Sequence, residues 1–170
     1  MRREDKSPFI LAIAPSPRGF AFVLFDGPTT PFDWGIKELR GKRKNARTLS
    51  AITKLVREYH PSALVIEGVH VKDSRRGPRI RELMAEVDGL ARDDGISVFR
   101  YGRTDIRRAF AQAGARTRPE IAKVIAEQIP ALAPRLPPLR KIWMSEDPRQ
   151  SLFDAASLGF VFFAKATRSL

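Results

Sequence analysis

The chain has 170 residues, 43% of them hydrophobic, which suits one domain with a sizeable core and excludes wholesale disorder. Lys and Arg number 31 against 19 Asp and Glu, a formal charge of +12 that points to a polyanionic partner, nucleic acid first. The absence of cysteine excludes disulfides, Cys-based zinc sites, iron–sulfur clusters and thiol nucleophiles, and His60 and His70 are too few for a His-rich metal site.

The charged start is followed by an apolar run, Phe9 to Ala14, that is too short for a signal core and stops at Pro15. That run reads as a strand buried on both faces. The turn Pro15-Ser16-Pro17-Arg18-Gly19 leads to a second apolar strand, Phe20 to Phe25. After Asp26-Gly27-Pro28, a third strand covers Phe32 to Leu39, and the short turns predict an antiparallel meander.

A basic loop, Arg40 to Arg47, precedes a helix from Leu49 to Tyr59, where Ile52, Leu55 and Val56 fall at helical spacing; His60 and Pro61 mark its end. The strand Ala63 to Ile66 runs straight into Glu67. Beyond a second basic loop, Pro78 opens a helix to Asp94. Ile80, Leu83, Met84, Val87 and Leu90 make its apolar stripe, read as a dimer surface or as core. Ile96 to Tyr101 is the fifth strand. Helices follow from Thr104 to Ala113 and, behind the capping box Thr117 to Glu120, to Ile129. A connection with Pro130, Pro134, Pro137 and Pro138 leads to a last helix opened by Asp147 as N-cap with Pro148 after it, running to Lys165. Leu158 to Ala166 contains Lys165 and is too short for a membrane span, so the expectation is a soluble, intracellular protein with no membrane partner. The order β-β-β-α-β-α-β-α-α-α predicts an α/β protein with a five-stranded mixed sheet flanked by helices, the later strands parallel to the first.

Sites in such sheets gather beyond the carboxyl ends of parallel strands. Two buried strands end at Ala14 and Glu67, and these ends are side by side if the strands are neighbours. Asp154 sits in the apolar run Leu152-Phe153-Asp154-Ala155-Ala156, where a carboxylate is costly unless paired, hydrogen-bonded or metal-bound. Glu67 as a solvated strand end and Asp154 as a solvent-face residue are the plain alternatives. Lys37 to Arg47 holds six bases and one acid, and Lys72 to Arg81 five bases and one acid. A solvated charged face would explain both runs, but the net excess favours phosphate contact by Lys42, Arg43, Lys44, Lys72, Arg75, Arg76 and Arg79. Trp34 and Trp143 read as core or interface packing.

Ile10-Leu11-Ala12-Ile13-Ala14-Pro15-Ser16, Leu64-Val65-Ile66-Glu67 and Phe153-Asp154-Ala155-Ala156-Ser157-Leu158 resemble, in order, the three acidic motifs of RuvC-type Holliday junction resolvases, in the RNase H-like superfamily. The resemblance implies a RuvC-like nuclease domain over residues 1–170. It implies a Mg²⁺-dependent endonuclease for four-way DNA junctions, with Mn²⁺ as a substitute cofactor, in which one ion activates water and the other stabilises the leaving oxygen. Glu67 and Asp154 would be metal ligands. The family's first catalytic Asp falls on Ala14, so the resemblance implies an inactive chain, whether the change was introduced into an intact motif or is native. Where the family has a carboxylate or His one turn before the last Asp, this chain has Ser151, with Glu146 and Asp147 upstream. Glu146 is a catalytic candidate, and Asp147 is explained by its cap.

Arg107 and Arg118 fall near the family's functional lysines, where Arg would neutralise the scissile phosphate. His70 falls near its base-stacking aromatic, or is an ordinary loop His. A symmetric junction implies a homodimer, and DNA as partner implies a nucleoid-associated protein. The alternatives are an RNase H-like nuclease acting on RNA, as in YqgF-type proteins, a catalytically dead junction-binding protein, and a basic non-nuclease such as a ribosome-associated factor.

Overall fold

Side chains of a β-strand alternate between the two faces of its sheet, and the first two strands use that alternation to serve two different cores. The structure, a computed structural model, describes residues 8–68, 76–141 and 143–168. Strands β1 (Ile10–Ser16), β2 (Gly19–Phe25) and β3 (Pro31–Glu38) form the meander; β4 (Ala63–Glu67) and β5 (Ser97–Tyr101) extend it. The sheet order is β3-β2-β1-β4-β5, with β1–β2 and β2–β3 antiparallel and β1–β4 and β4–β5 parallel. This is the expected mixed sheet, centred on the continuous apolar runs.

Leu11, Ile13, Phe20, Phe22, Leu24, Leu64 and Ile66 pack on one face against α1 (Lys44–Tyr59) and α2 (Pro78–Asp93). Ile10, Ala12, Ala14, Ala21, Val23, Phe25, Ala63 and Val65 form the other core with α3 (Arg103–Phe110), α4 (Arg118–Gln128) and α5 (Gln150–Arg168). Short 3₁₀ turns, Ala111–Ala113 and Pro130–Arg135, follow α3 and α4. No helix among the described residues is long and apolar enough to cross a membrane.

The structure corrects the sequence expectations at several points. The first helix starts at Lys44, five residues before Leu49, so Lys44 and Arg47 belong to a helix rather than a loop. Arg43 turns the chain in the left-handed region at φ 62°, and Asn45 exchanges hydrogen bonds with Arg79, donating to its carbonyl and accepting from its guanidinium, each 3.0 Å. The α2 stripe is not an open dimer surface: Ile80, Leu83, Met84 and Val87 are buried against the sheet and α1, and Leu90 packs at that core's margin. The last α-helix starts at Gln150, three residues after Asp147, although Asp147 caps the lead-in as expected, accepting from the Arg149 N–H at 2.9 Å. Its lead-in is a run of i→i+3 bonds, from the Gln150, Ser151 and Leu152 N–H groups to the carbonyls of Asp147, Pro148 and Arg149. Trp143 is not part of the core: it is 80% exposed, with the Lys141 ammonium 5.3 Å from its ring centroid. Trp34 packs half-buried against the α5-side core.

Two glycines mark close approaches. Gly19, at φ 157°, closes the two-residue β1–β2 turn, and a Cβ there would collide with the Lys37 carbonyl of β3. Gly159 lets α5 lie directly on the Phe25 ring; a Cβ would come 2.7 Å from Cζ and closer still to Cε2. Gly159→Ala should therefore destabilise the protein by about 1–3 kcal/mol through overpacking, despite the better helix propensity of Ala. A urea-unfolding midpoint equal to the parent's would show that α5 does not seat on Phe25.

Candidate active site

The carboxyl ends of β1 and β4 open into a cleft of about 620 Å³, roofed by α5 and by the starts of α3 and α4. The parallel register pairs Ile10 with Ala63 and Ala12 with Val65; continued by two residues it would set Ala14 level with Glu67, and both line the cleft. Alternation puts both on the face shared by Ala12 and Val65, the face that α5 covers. Asp154, on the first turns of α5, lines the same cleft with Ala14, Glu67 and Glu146. Its neighbours Phe153, Ala155 and Ala156 are buried, while its own side chain stays 23% exposed at the cleft wall.

Arginines cover these acids. The Arg118 guanidinium donates to both oxygens of Asp154, from Nε at 3.1 Å to Oδ1 and from the second arm to Oδ2, and its remaining arm pairs with Glu146. Burial alone would lower the Arg118 pKa, but the carboxylates of Asp154 and Glu146 outweigh it and raise the pKa above the usual arginine value. Arg76 donates from Nε to Glu67 Oε2 at 2.8 Å. The buried Gln150 amide donates to Asp154 Oδ1 at 3.4 Å, one helical turn upstream. Ser151, buried, spends its hydroxyl on the Pro148 carbonyl at 2.8 Å.

The other predicted residues divide. Arg107 lines the cleft. Lys44 reaches its edge, donating to the Pro17 carbonyl at 3.1 Å, and Arg79 is held at the start of α2 by Asn45. Lys42 and Arg43 are exposed before α1 and do not line the cleft. His70, Lys72 and Arg75 lie outside the described residues. Sequence reading missed Arg18, Arg103, Arg116 and Gln150, which line the cleft. Gln150 alone carried a signal, its i, i+4 spacing to Asp154. Arg18, Arg103 and Arg107 form no ion pair among the described residues.

As the side chains stand, this donor set does not suit a two-metal centre. Ala14 offers a methyl group, and Glu67, Asp154 and Glu146 each hold a guanidinium. Among the described residues no three His, Asp or Glu side chains gather as a metal shell. What the cleft offers chemically is an array of N–H donors with fixed positive charge, suited to phosphate oxygens.

Asp147 lines the cleft but serves the chain: its carboxylate accepts from the Arg149 N–H at 2.9 Å and pairs with the Arg149 guanidinium at 3.0 and 2.7 Å. Those bonds hold its pKa below the usual aspartate value. A depressed folded-state pKa contributes stability that is present above the unfolded value, near 3.9, and is lost as pH falls through the folded one. Asp147→Asn should thus lower the urea midpoint at pH 7, with the gap to the parent closing towards pH 2.5. A gap independent of pH would show that charge plays no part at the start of α5.

No family model matches the sequence, and no curated protein matches it. The fold nevertheless has solved counterparts. The Thermus thermophilus RuvC structure superposes with a TM-score of 0.66 at 15% identity, covering 94% of this chain and 96% of that one. T. thermophilus RuvC in complex with Holliday junction substrate gives 0.64 at 14% identity, covering 93% and 96%. The yeast mitochondrial Holliday junction resolvase Ydc2 gives 0.61 at 13% identity, covering 94% and 81%. At these identities the likeness is one of fold, and the five-stranded mixed sheet with helices on both faces is the RNase H-like architecture these proteins share.

Proposed function

We propose that this chain has the architecture of a four-way-junction endonuclease, that it binds junction DNA in the arginine-lined cleft, and that its cutting is withheld at position 14. The observation that carries this reading is the convergence of Ala14, Glu67 and Asp154 on one cleft wall, in a fold shared with junction resolvases. Fold alone hosts many activities, so the reading rests on the site. The chain's excess of bases supports a nucleic-acid partner, and the cleft concentrates six arginines, Arg18, Arg76, Arg103, Arg107, Arg116 and Arg118, at the place where the acids meet. Junction DNA as partner puts the protein on the nucleoid.

Two matched nicks require two sites, so the proposed active form is a homodimer. Because the α2 stripe is spent in the core, the contact lies elsewhere on the surface. A Mg²⁺-dependent reaction requires a third carboxylate: aspartate at position 14 would stand level with Glu67 and face α5, completing the set with Asp154.

In fluorescence anisotropy with EDTA present, the chain should bind a four-way junction more tightly than linear duplex of the same length or structured RNA. Arg103→Glu with Arg107→Glu should weaken all DNA binding and flatten the log–log salt dependence by about 2, near 0.9 per lost phosphate contact. Preference for structured RNA would instead favour an RNA nuclease, and an unchanged salt slope would remove those arginines from the interface.

Ala14→Asp should introduce Mg²⁺-dependent nicking of junctions, measured on end-labelled arms, and adding Glu67→Gln or Asp154→Asn should abolish it. The amides fill nearly the same volume but balance metal charge poorly. Continued cutting by Ala14→Asp with Glu67→Gln would sink the assignment of Glu67.

A further inference from the structure

We infer that Arg118 is a resident counter-ion: while position 14 offers a methyl group and no third carboxylate, it holds the place between Asp154 and Glu146 that a divalent cation would need, and so keeps this site closed to Mg²⁺ and Mn²⁺ in this chain. Both oxygens of Asp154 are taken by the fork of its guanidinium, and the remaining arm engages Glu146. The Gln150 amide adds another N–H donor on Asp154 Oδ1 at 3.4 Å. A cation arriving at that oxygen would have to compete with both of these N–H donors.

The arginine is fixed as well as charged. It is the first residue of α4, directly after the N-cap Thr117, whose hydroxyl accepts from the Glu120 N–H at 3.3 Å. Pro119 follows it, and α4 packs along α5, so backbone and partner acid are set by the same helix pair. A third acid, Glu67, has its own guanidinium, Arg76, whose Nε donates to Oε2 at 2.8 Å.

Mg²⁺ sheds its waters reluctantly and demands near-octahedral oxygen ligands at about 2.1 Å. Here it would have to displace a bidentate guanidinium, which stays charged at any accessible pH, and would find a methyl group at Ala14 in return. The acids are thus positioning residues for the arginines. Arg118 keeps two of its five N–H donors beyond the three used on Asp154 and Glu146, and these are available to a phosphate oxygen in the cleft.

The experiment uses the free protein and no nucleic acid, so its outcome is separable from the junction reading. Free Mn²⁺ is followed by electron paramagnetic resonance during titration, and thermal unfolding is compared in EDTA and in Mg²⁺. The parent chain should take up no Mn²⁺ stoichiometrically and should melt at one temperature in both solutions. Arg118→Gln uncovers Asp154 and Glu146. It should melt lower in EDTA, regain stability with Mg²⁺ or Mn²⁺, and bind Mn²⁺ at least about tenfold more tightly than the parent, since a full positive charge has left the site. Adding Asp154→Asn should erase that gain. If Arg118→Gln does not fold, Arg118→Lys, which keeps the charge but not the fork, should show an intermediate Mn²⁺ affinity. A parent that binds Mn²⁺ as tightly as the folded variant, or a folded variant that binds it no better than the parent, overturns the inference.

Discussion

The close seating of α5 on the sheet is the constraint from which the rest of the molecule follows. The sheet face beneath it is built from small side chains, Ala12 and Ala14 on β1 and Ala21 on β2, and α5 answers with Ala155, Ala156 and Gly159. Small residues on both surfaces let the helix axis approach the strands, and Phe25 fills the room left at Gly159. The opposite face carries the bulkier Leu11, Ile13, Phe20 and Phe22, which pack under α1 and α2. One strand thus serves two cores of different side-chain size through its period-2 alternation.

That seating also fixes the site. Asp154 lies on the first turns of α5, one residue from the fully packed Phe153, so the helix that covers the sheet delivers its only acid to the carboxyl end of β1. The parallel pairing of β1 and β4 brings Glu67 to the same level. A carboxylate pair at one sheet edge repels itself unless compensated, and in this chain compensation comes from Arg118 and Arg76. The cleft then holds two populations of arginine. Some are tied to acids and shape its floor; Arg18, Arg103 and Arg107 are exposed and carry its outward field.

Much of this was legible in the residues. Continuous apolar runs marked β1, β2 and β4 because strands buried on both faces leave no room for polar alternation. Short turns gave the meander, and intervening helices gave the parallel strands. Asp154 stood out because its neighbours were all apolar or small. Element ends were less legible. The start of α1 depends on a left-handed Arg43 and on Asn45 meeting Arg79, 34 residues away. The Asp147-Pro148 pair carries the signature of a helix start, and Asp147 does cap, accepting from the Arg149 N–H, but a tight i→i+3 run stands between that cap and α5.

The sequence by itself determined a five-stranded mixed sheet, its antiparallel meander and parallel returns, and the two acids whose contexts set them apart, because burial patterns and strand ends are local properties of a chain. That β1 and β4 are neighbours, so that Glu67 and Asp154 share a cleft, came from the tertiary structure. Only the tertiary structure decided what those acids touch. Arg118 and Asp154 are 36 residues apart, and neither spacing nor composition says that a guanidinium at the first position of α4 will reach a carboxylate on α5. The same holds for the stripe of α2, which one helix's pattern leaves open to solvent, partner or core, and which the packing of α2 on the sheet assigned to the core. Periodicity fixes which face of an element is apolar; which neighbour covers that face, and which charge answers which, depends on how the layers dock.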